Sequence, residues 1–438
     1  MRKLGYYYFA GAMGLAMAIL PITAGGQTLD VLGSFAFRAH GDTPMAGVVR
    51  DSKGDLFGTT TNANSQRNRP KAKYYGTVFE VRKEHGQPKL ETIWRFGQTH
   101  ADGQYPYAPV VIDKSGNLYG ETAAGGSRIG NGAVFELSPP ASPKGRWVES
   151  VLYSFAINGA DGENPVGGLL LQSDGSLFGV TQTGGSQGVG TVFKLEPPKA
   201  GKKHWVLTSL YSFLGGTDGA QPVNGLIRDK SGALYGTTLY GGTASLCLDQ
   251  LQYDGCGTVF KLTPPAKGST TWTESVIWTF QGAADGAFPM TNLVMDPSGN
   301  IYATASEGGP GDCLNNGFAC GTVVELSPPA NGGTNWTETV LVGFGDSAGE
   351  PQGNLVRQTD GSLFVPVLGG AGILGAITEL VPPTGGQGWT ESIYYAFPAN
   401  GQQGARPFGL MQDAAGNFFG TTELDGPNGG GVVFELTP

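Results

Sequence analysis

A segment of the form Asp-Gly-x-x-Pro returns along this chain. Its copies begin at Asp102, Asp161, Asp218 and Asp285, and His40-Gly41-Asp42 stands at the corresponding place in the first unit. Carboxylates gathered at one place could bind a cation or a cationic ligand, or act in pairs as acid and base on a sugar. The plain alternative is that each Asp caps its own turn. Two histidines, His40 and His100, fall in neighbouring copies of this segment, where nothing in the pattern requires them. Beside Asp42 and Asp102 they could ligate a metal or serve as a base. His85 and His204 fall in other, polar stretches and read as exposed. No phosphate loop, nucleophile elbow, His-Glu-x-x-His or dinucleotide fingerprint is present.

Other chemistry-bearing residues depart from the pattern. Arg67, Arg69, Lys71 and Lys73 form a basic insertion before Tyr74-Tyr75, suited either to an anionic polysaccharide or simply to solvent. Cys247 and Cys256 lie in one unit, Cys313 and Cys320 in the next, and each pair brackets one inserted loop. Four cysteines allow three pairings. The local one, Cys247–Cys256 and Cys313–Cys320, is favoured, and the usual short zinc-ligand spacing is missing.

These residues are positioned by a repeat. Trp147–Phe155 returns at Trp205–Phe213, Trp272–Phe280, Trp336–Phe344 and Trp389–Phe397, with looser copies at Leu29–Phe35 and Leu90–Phe96. A fixed period decides the architecture before local propensity does. Each unit carries four strand-like runs: in the fourth, Asn224–Arg228, Ala233–Thr238, Gly257–Leu262 and Glu274–Phe280. Asp229-Lys230-Ser231-Gly232 separates the first two, and Asp51, Asp113, Asp296 and Asp413 open equivalent turns. These turn aspartates could bind calcium, but Asp followed by Gly is what a tight hairpin needs. Pro-Pro ends the third run five times, because proline cannot continue a ladder. The Trp that follows could stack on sugars if exposed; its periodic placement favours packing between repeats.

Four strands per unit and seven units predict an all-β, seven-bladed β-propeller with four-stranded blades. The chain opens with a fourth-type strand, 29–35, which should complete the last blade and close the ring. Residues 25–438 are then one propeller domain. Residues 1–24 read as a secretory signal peptide, with Arg2-Lys3 followed by the apolar run Leu4–Leu20. No later segment could span a membrane. Net charge is −9 and only 14% of residues are charged, which argues against nucleic acid as a partner.

The string Gly-Leu-Ile-x-Asp-x-Ser-Gly-x-Leu-Tyr-Gly-Thr-Thr at Gly225–Thr238, with Gly-Thr-Val-Phe-Lys-Leu at Gly257–Leu262, closely resembles the GloVer-type tandem repeat, an NHL-like propeller repeat of "choice-of-anchor" secreted bacterial proteins. The resemblance implies an exported bacterial protein of undefined biochemical role and carries over no catalytic residues. The chain ends at Pro438, flush with its last strand, so no C-terminal anchor is expected. The expectation is a secreted or periplasmic monomer that binds a glycan or protein at one propeller face. No cofactor is expected, with calcium as the candidate if there is one. The rival expectation is a carbohydrate-active lyase or hydrolase using Asp and His at a channel mouth, where Asp161, Asp218 and Asp285 would join His40, Asp42, His100 and Asp102.

Overall fold

Every blade is organised around its hairpin turn. In the fourth, Asp229 Oδ1 accepts the N–H groups of Ser231 and Ala233 at 2.8 and 3.0 Å. Gly232 takes a φ of 92°, which a side chain would resist. The chain therefore reverses between strands Ile227–Arg228 and Leu234–Tyr240. The same double acceptance recurs at Asp51, Asp113, Asp296 and Asp413. These aspartates work as turn acceptors.

The computed structural model describes the chain except residues 1–25, 37–39, 63–74, 100, 128–129, 143–144, 158, 245–246, 248–253, 311–320, 331–332, 334, 346–348, 370–372 and 386–387. His100, Cys313, Cys320 and the basic insertion Arg67–Lys73 fall outside the described residues. Seven antiparallel sheets form the ring of a seven-bladed β-propeller. The outermost strands of blades one to six are Gln87–Arg95, Val148–Ser154, Val206–Ser212, Thr273–Thr279, Thr337–Gly343 and Thr390–Ala396. Blade seven is Ala405–Gln412, Phe418–Leu424 and Val432–Thr437, completed by Thr28–Ser34 from the start of the chain. That closing strand pairs from Thr28↔Thr437 to Ser34↔Val432. Among the described residues no helix is long and apolar enough to cross a membrane.

Packing follows one size rule. In five blades a glycine of the second strand lies across from a phenylalanine of the third: Gly58/Phe79, Gly120/Phe135, Gly179/Phe193, Gly236/Phe260 and Gly420/Phe434. A Cβ on any of these glycines would sit 2.4–2.6 Å from the ring. Blades five and six carry Ala303/Val324 and Val365/Thr378 instead, enlarging one partner as the other shrinks. Close packing demands such complementarity.

Neighbouring blades are joined by aromatic contacts. The Phe that ends each outer strand is fully buried. Phe35, Phe96, Phe155, Phe213 and Phe397 each meet the third-strand Phe of the next blade edge-on at 4.8–5.4 Å. The recurring Trp also packs across a seam: Trp147 on Phe57, Trp205 on Tyr119, Trp272 on Phe178 and Trp336 on Tyr235. A register shift, the mark of a bulge, interrupts the outer-strand pairing of every blade at the same step. Bulges increase strand twist, and the upper end of one outer strand thereby reaches the lower part of the next: Gly33 touches Leu90.

Candidate functional site

Two sets of loops emerge on one face of the ring: the links from each outer strand to the next blade, and the loops between second and third strands. Their backbones bond to each other, as Gly103–Gln104 does with Ala124–Gly125 and as Asp42 does with Asn62. Cys247 and Cys256 are disulfide-bonded in the loop of blade four, as the local pairing requires.

The link aspartates turn toward the outer strand. Asp102, Asp218 and Asp285 each accept the N–H of the residue four before them, at 2.7–2.9 Å. An aromatic two residues before the terminal Phe also donates: Tyr153 to Asp161, whose Oδ1 stays unpartnered, Tyr211 to Asp218 and Trp278 to Asp285. Tyr395 donates likewise to Gln403, which replaces Asp in the last link. These side chains serve at the rim, on the strand farthest from the axis, and each fastens its own link.

A second carboxyl joins three of them. Glu149, Glu274 and Glu338 lie on the outer strands of blades two, four and five, six residues before the terminal Phe. Glu149 faces Asp102 and Glu274 faces Asp218 within hydrogen-bonding reach, while Glu338 lies in the field of Asp285. The Oε1 atoms of all three and Oδ1 of Asp102 are buried without a donor. Burial, and then the facing aspartate, push Glu149 and Glu274 up to about 8 and Glu338 to about 7. Two acceptors facing each other without a donor must share a proton.

The first link differs. Gly33 stands where five of the other outer strands carry an aromatic and the blade-five strand carries Val342, and Asp42 is 3% exposed and pushed by burial up to about 6. His40 is held below its ordinary value by burial and then by the Arg95 charge, and its buried Nδ1 has no partner. Among the described residues no group of three or more His, Cys, Asp or Glu forms a metal cluster.

The feature that sequence reasoning passed over is the residue just before six of the seven link prolines, Glu350 before Pro351 being the exception. Thr43, Tyr105, Asn164, Gln221, Phe288 and Arg406 all take φ between 55° and 60°. Non-glycine residues rarely enter this region, and they do so only when their surroundings hold them there. Here each backbone N–H bonds a carbonyl of the preceding blade, as Asn164 does to Asn131 at 2.8 Å and Phe288 to Cys256 at 2.9 Å. The frame is constant and the side chains are not. Tyr105 meets Tyr75 edge-on, Phe288 meets Tyr240, and Arg406 pairs with Glu423 at 3.3 Å. Tyr107 and Met290, directly after the prolines, are 41% and 43% exposed. The sequence marks the positions, a variable residue ahead of a recurring proline, but not the conformation.

Glu121 also escaped notice. It replaces the first Thr of the Thr-Thr pair in blade two. It is 1% exposed, accepts the Gly168 N–H at 2.9 Å, and leaves Oε1 unpartnered. Burial pushes it up to about 8, so it is protonated at neutral pH.

Comparison with known proteins agrees with this architecture. No curated protein matches the chain. Among solved structures, the extracellular domain of a protein assigned as a one-component system from B. thetaiotaomicron aligns with 92% of this chain at 11% identity and a TM-score of 0.50, and the chain spans 39% of that protein. A gluconolactonase from Xanthomonas campestris aligns with 74% of this chain and 82% of its own length, at 14% identity and a TM-score of 0.37. At 11% identity the likeness to the extracellular domain concerns fold alone. The sequence signature described as the Gloeobacter/Verrucomicrobia repeat matches residues 5–248 and 249–438, and the chain belongs to that family.

Proposed function

We propose that this protein is an exported binding or scaffold module that holds a glycan or another envelope component on the face where the links and the second-to-third-strand loops meet. One observation carries the reading: six positions with the same left-handed backbone present Thr, Tyr, Asn, Gln, Phe and Arg from one rigid frame. Function on a repeat scaffold resides in what varies on a constant framework. The exposed Tyr107 beside one of them gives an aromatic surface for a sugar ring, and Met290 a separate apolar one three blades away. The basic start and apolar run of residues 1–24 support export, and the Cys247–Cys256 disulfide is compatible with an oxidising compartment.

The test is a polysaccharide and envelope-fraction array probed with residues 25–438, with and without calcium, scored for retention and for product release in the same wells. Retention without products is expected. Tyr107→Ala and Arg406→Ala should each weaken it about tenfold, the effect of losing one good contact of about 1.4 kcal/mol. Retention that both variants leave untouched would place the ligand elsewhere. Release of new reducing ends would favour the carbohydrate-active enzyme instead.

A further inference from the structure

On the opposite face, at the seam between blades four and five, lies a groove of about 480 Å³. Its walls include Asp229, Tyr235, Lys261, Ser275, Met295 and Trp336. Other seams show why it exists. The last residue of the first strand is Arg50 in blade one, Arg228 in blade four and Arg357 in blade six. Each guanidinium lies over an aromatic ring of the preceding blade: Phe419 at 5.0 Å, Phe178 at 6.0 Å and Tyr302 at 5.4 Å. Two of them also pair with the hairpin aspartate there, Arg50 with Asp413 at 2.7 Å and Arg357 with Asp296 at 3.9 Å. Blades two, three and seven carry Ile112, Leu171 and Gln412 here, and blade five carries Met295, which has no donor and reaches less far than arginine. The seam that Arg50 occupies keeps a hollow of only about 30 Å³.

A second departure puts a cation in the opening. Lys194 of blade three pairs with Glu196 at 2.9 Å. Its counterpart in blade four is Lys261, but Thr263 stands where the glutamate would be. Lys261 lies 5.4 Å from the centre of the Tyr235 ring and has no ion pair among the described residues. Asp229 makes no ion pair with it: Oδ1 accepts from Ser231 and Ala233 and Oδ2 from the Tyr235 hydroxyl, bonds that keep its own carboxylate ionised at the edge of the groove. The groove thus offers an unpaired ammonium, two aromatic surfaces that meet at 6.3 Å, and the Ser275 hydroxyl.

We infer that this groove is a second binding site, which takes a carboxylate-bearing sugar unit, a hexuronate within an acidic polysaccharide. The carboxylate pairs with Lys261, the sugar face lies on Trp336, and the volume lies within the range of small-ligand sites. The inference stands independently of the loop face described above.

Calorimetric titration of residues 25–438 with a galacturonic acid tetramer tests it, with the neutral galactose tetramer as control. Saturable binding of the acidic oligomer alone is expected. Lys261→Met should weaken it at least tenfold. Met295→Arg should abolish it by laying a guanidinium over Tyr235, as Arg50, Arg228 and Arg357 do at their seams, while melting no lower than the parent. Absence of binding by the parent overturns the inference, as does equal binding of the neutral oligomer or undiminished binding by both variants. Should Met295→Arg fail to fold, Lys261→Met decides alone. Binding lost in Arg406→Ala and kept in Lys261→Met would move the uronate to the loop face, sinking the groove and sparing that other reading.

Discussion

At the scale of single residues, the carboxyls matter most for how they hold protons. Glu121, Glu149 and Glu274 are pushed up to about 8 in the folded chain, whereas an exposed glutamate titrates near 4.5. A native pKa above the unfolded one means that the folded state binds more protons between those values. Stability from these groups is therefore complete at acid pH and is lost as pH rises through about 8. The melting temperature should fall from pH 5 to pH 9. Glu121→Gln should flatten that slope, changing little at pH 5 and gaining at pH 9. One pKa unit corresponds to about 1.4 kcal/mol, and each kcal/mol to roughly 2–4 °C or less in a chain this long. Parallel melting curves for variant and parent would refute a buried, protonated Glu121. The link aspartates and His40 attract attention in the sequence because their types suggest chemistry. Glu121 does not, since one Glu among recurring threonines looks like drift until burial is known.

Among elements, the glycine–phenylalanine pairs explain why the blades keep their second and third strands in register. Gly236→Ala sets a Cβ 2.6 Å from the Phe260 ring, and overpacking of this kind costs about 1–3 kcal/mol. Phe260→Val in the same chain should recover most of that loss, because blade five already uses Ala303 against Val324. A double-mutant cycle read by thermal melting checks the coupling; simple additivity would contradict it. The hairpin turns were legible from Asp and Gly alone, because an Asx turn is satisfied within five residues. The left-handed residues ahead of the prolines were not. Thr, Tyr, Asn, Gln, Phe and Arg have no common propensity for that conformation. A hydrogen bond to the preceding blade imposes it, and no local pattern records that bond.

For the whole molecule, closure is the decisive event. Thr28–Ser34 supplies the outer strand of blade seven and covers its exposed edge. Deleting residues 26–35 should therefore abolish the single cooperative melt and leave a broader, lower transition, whereas an unchanged melt would mean that the ring does not depend on that strand. The sequence by itself determined the blade count, the strand order and the offset closure, because each is written in spacing that repeats from unit to unit; it favoured the Cys247–Cys256 pairing, which the structure then settled. Tertiary structure alone decided which way side chains face. It turned the link aspartates to the rim, brought Glu149 against Asp102, buried Glu121, and left a groove where Met295 stands in place of arginine. The physical reason is that blade contacts join residues some sixty positions apart. Burial, shared protons and unfilled volume arise in the seams between blades, and a repeat pattern describes only what lies within each one.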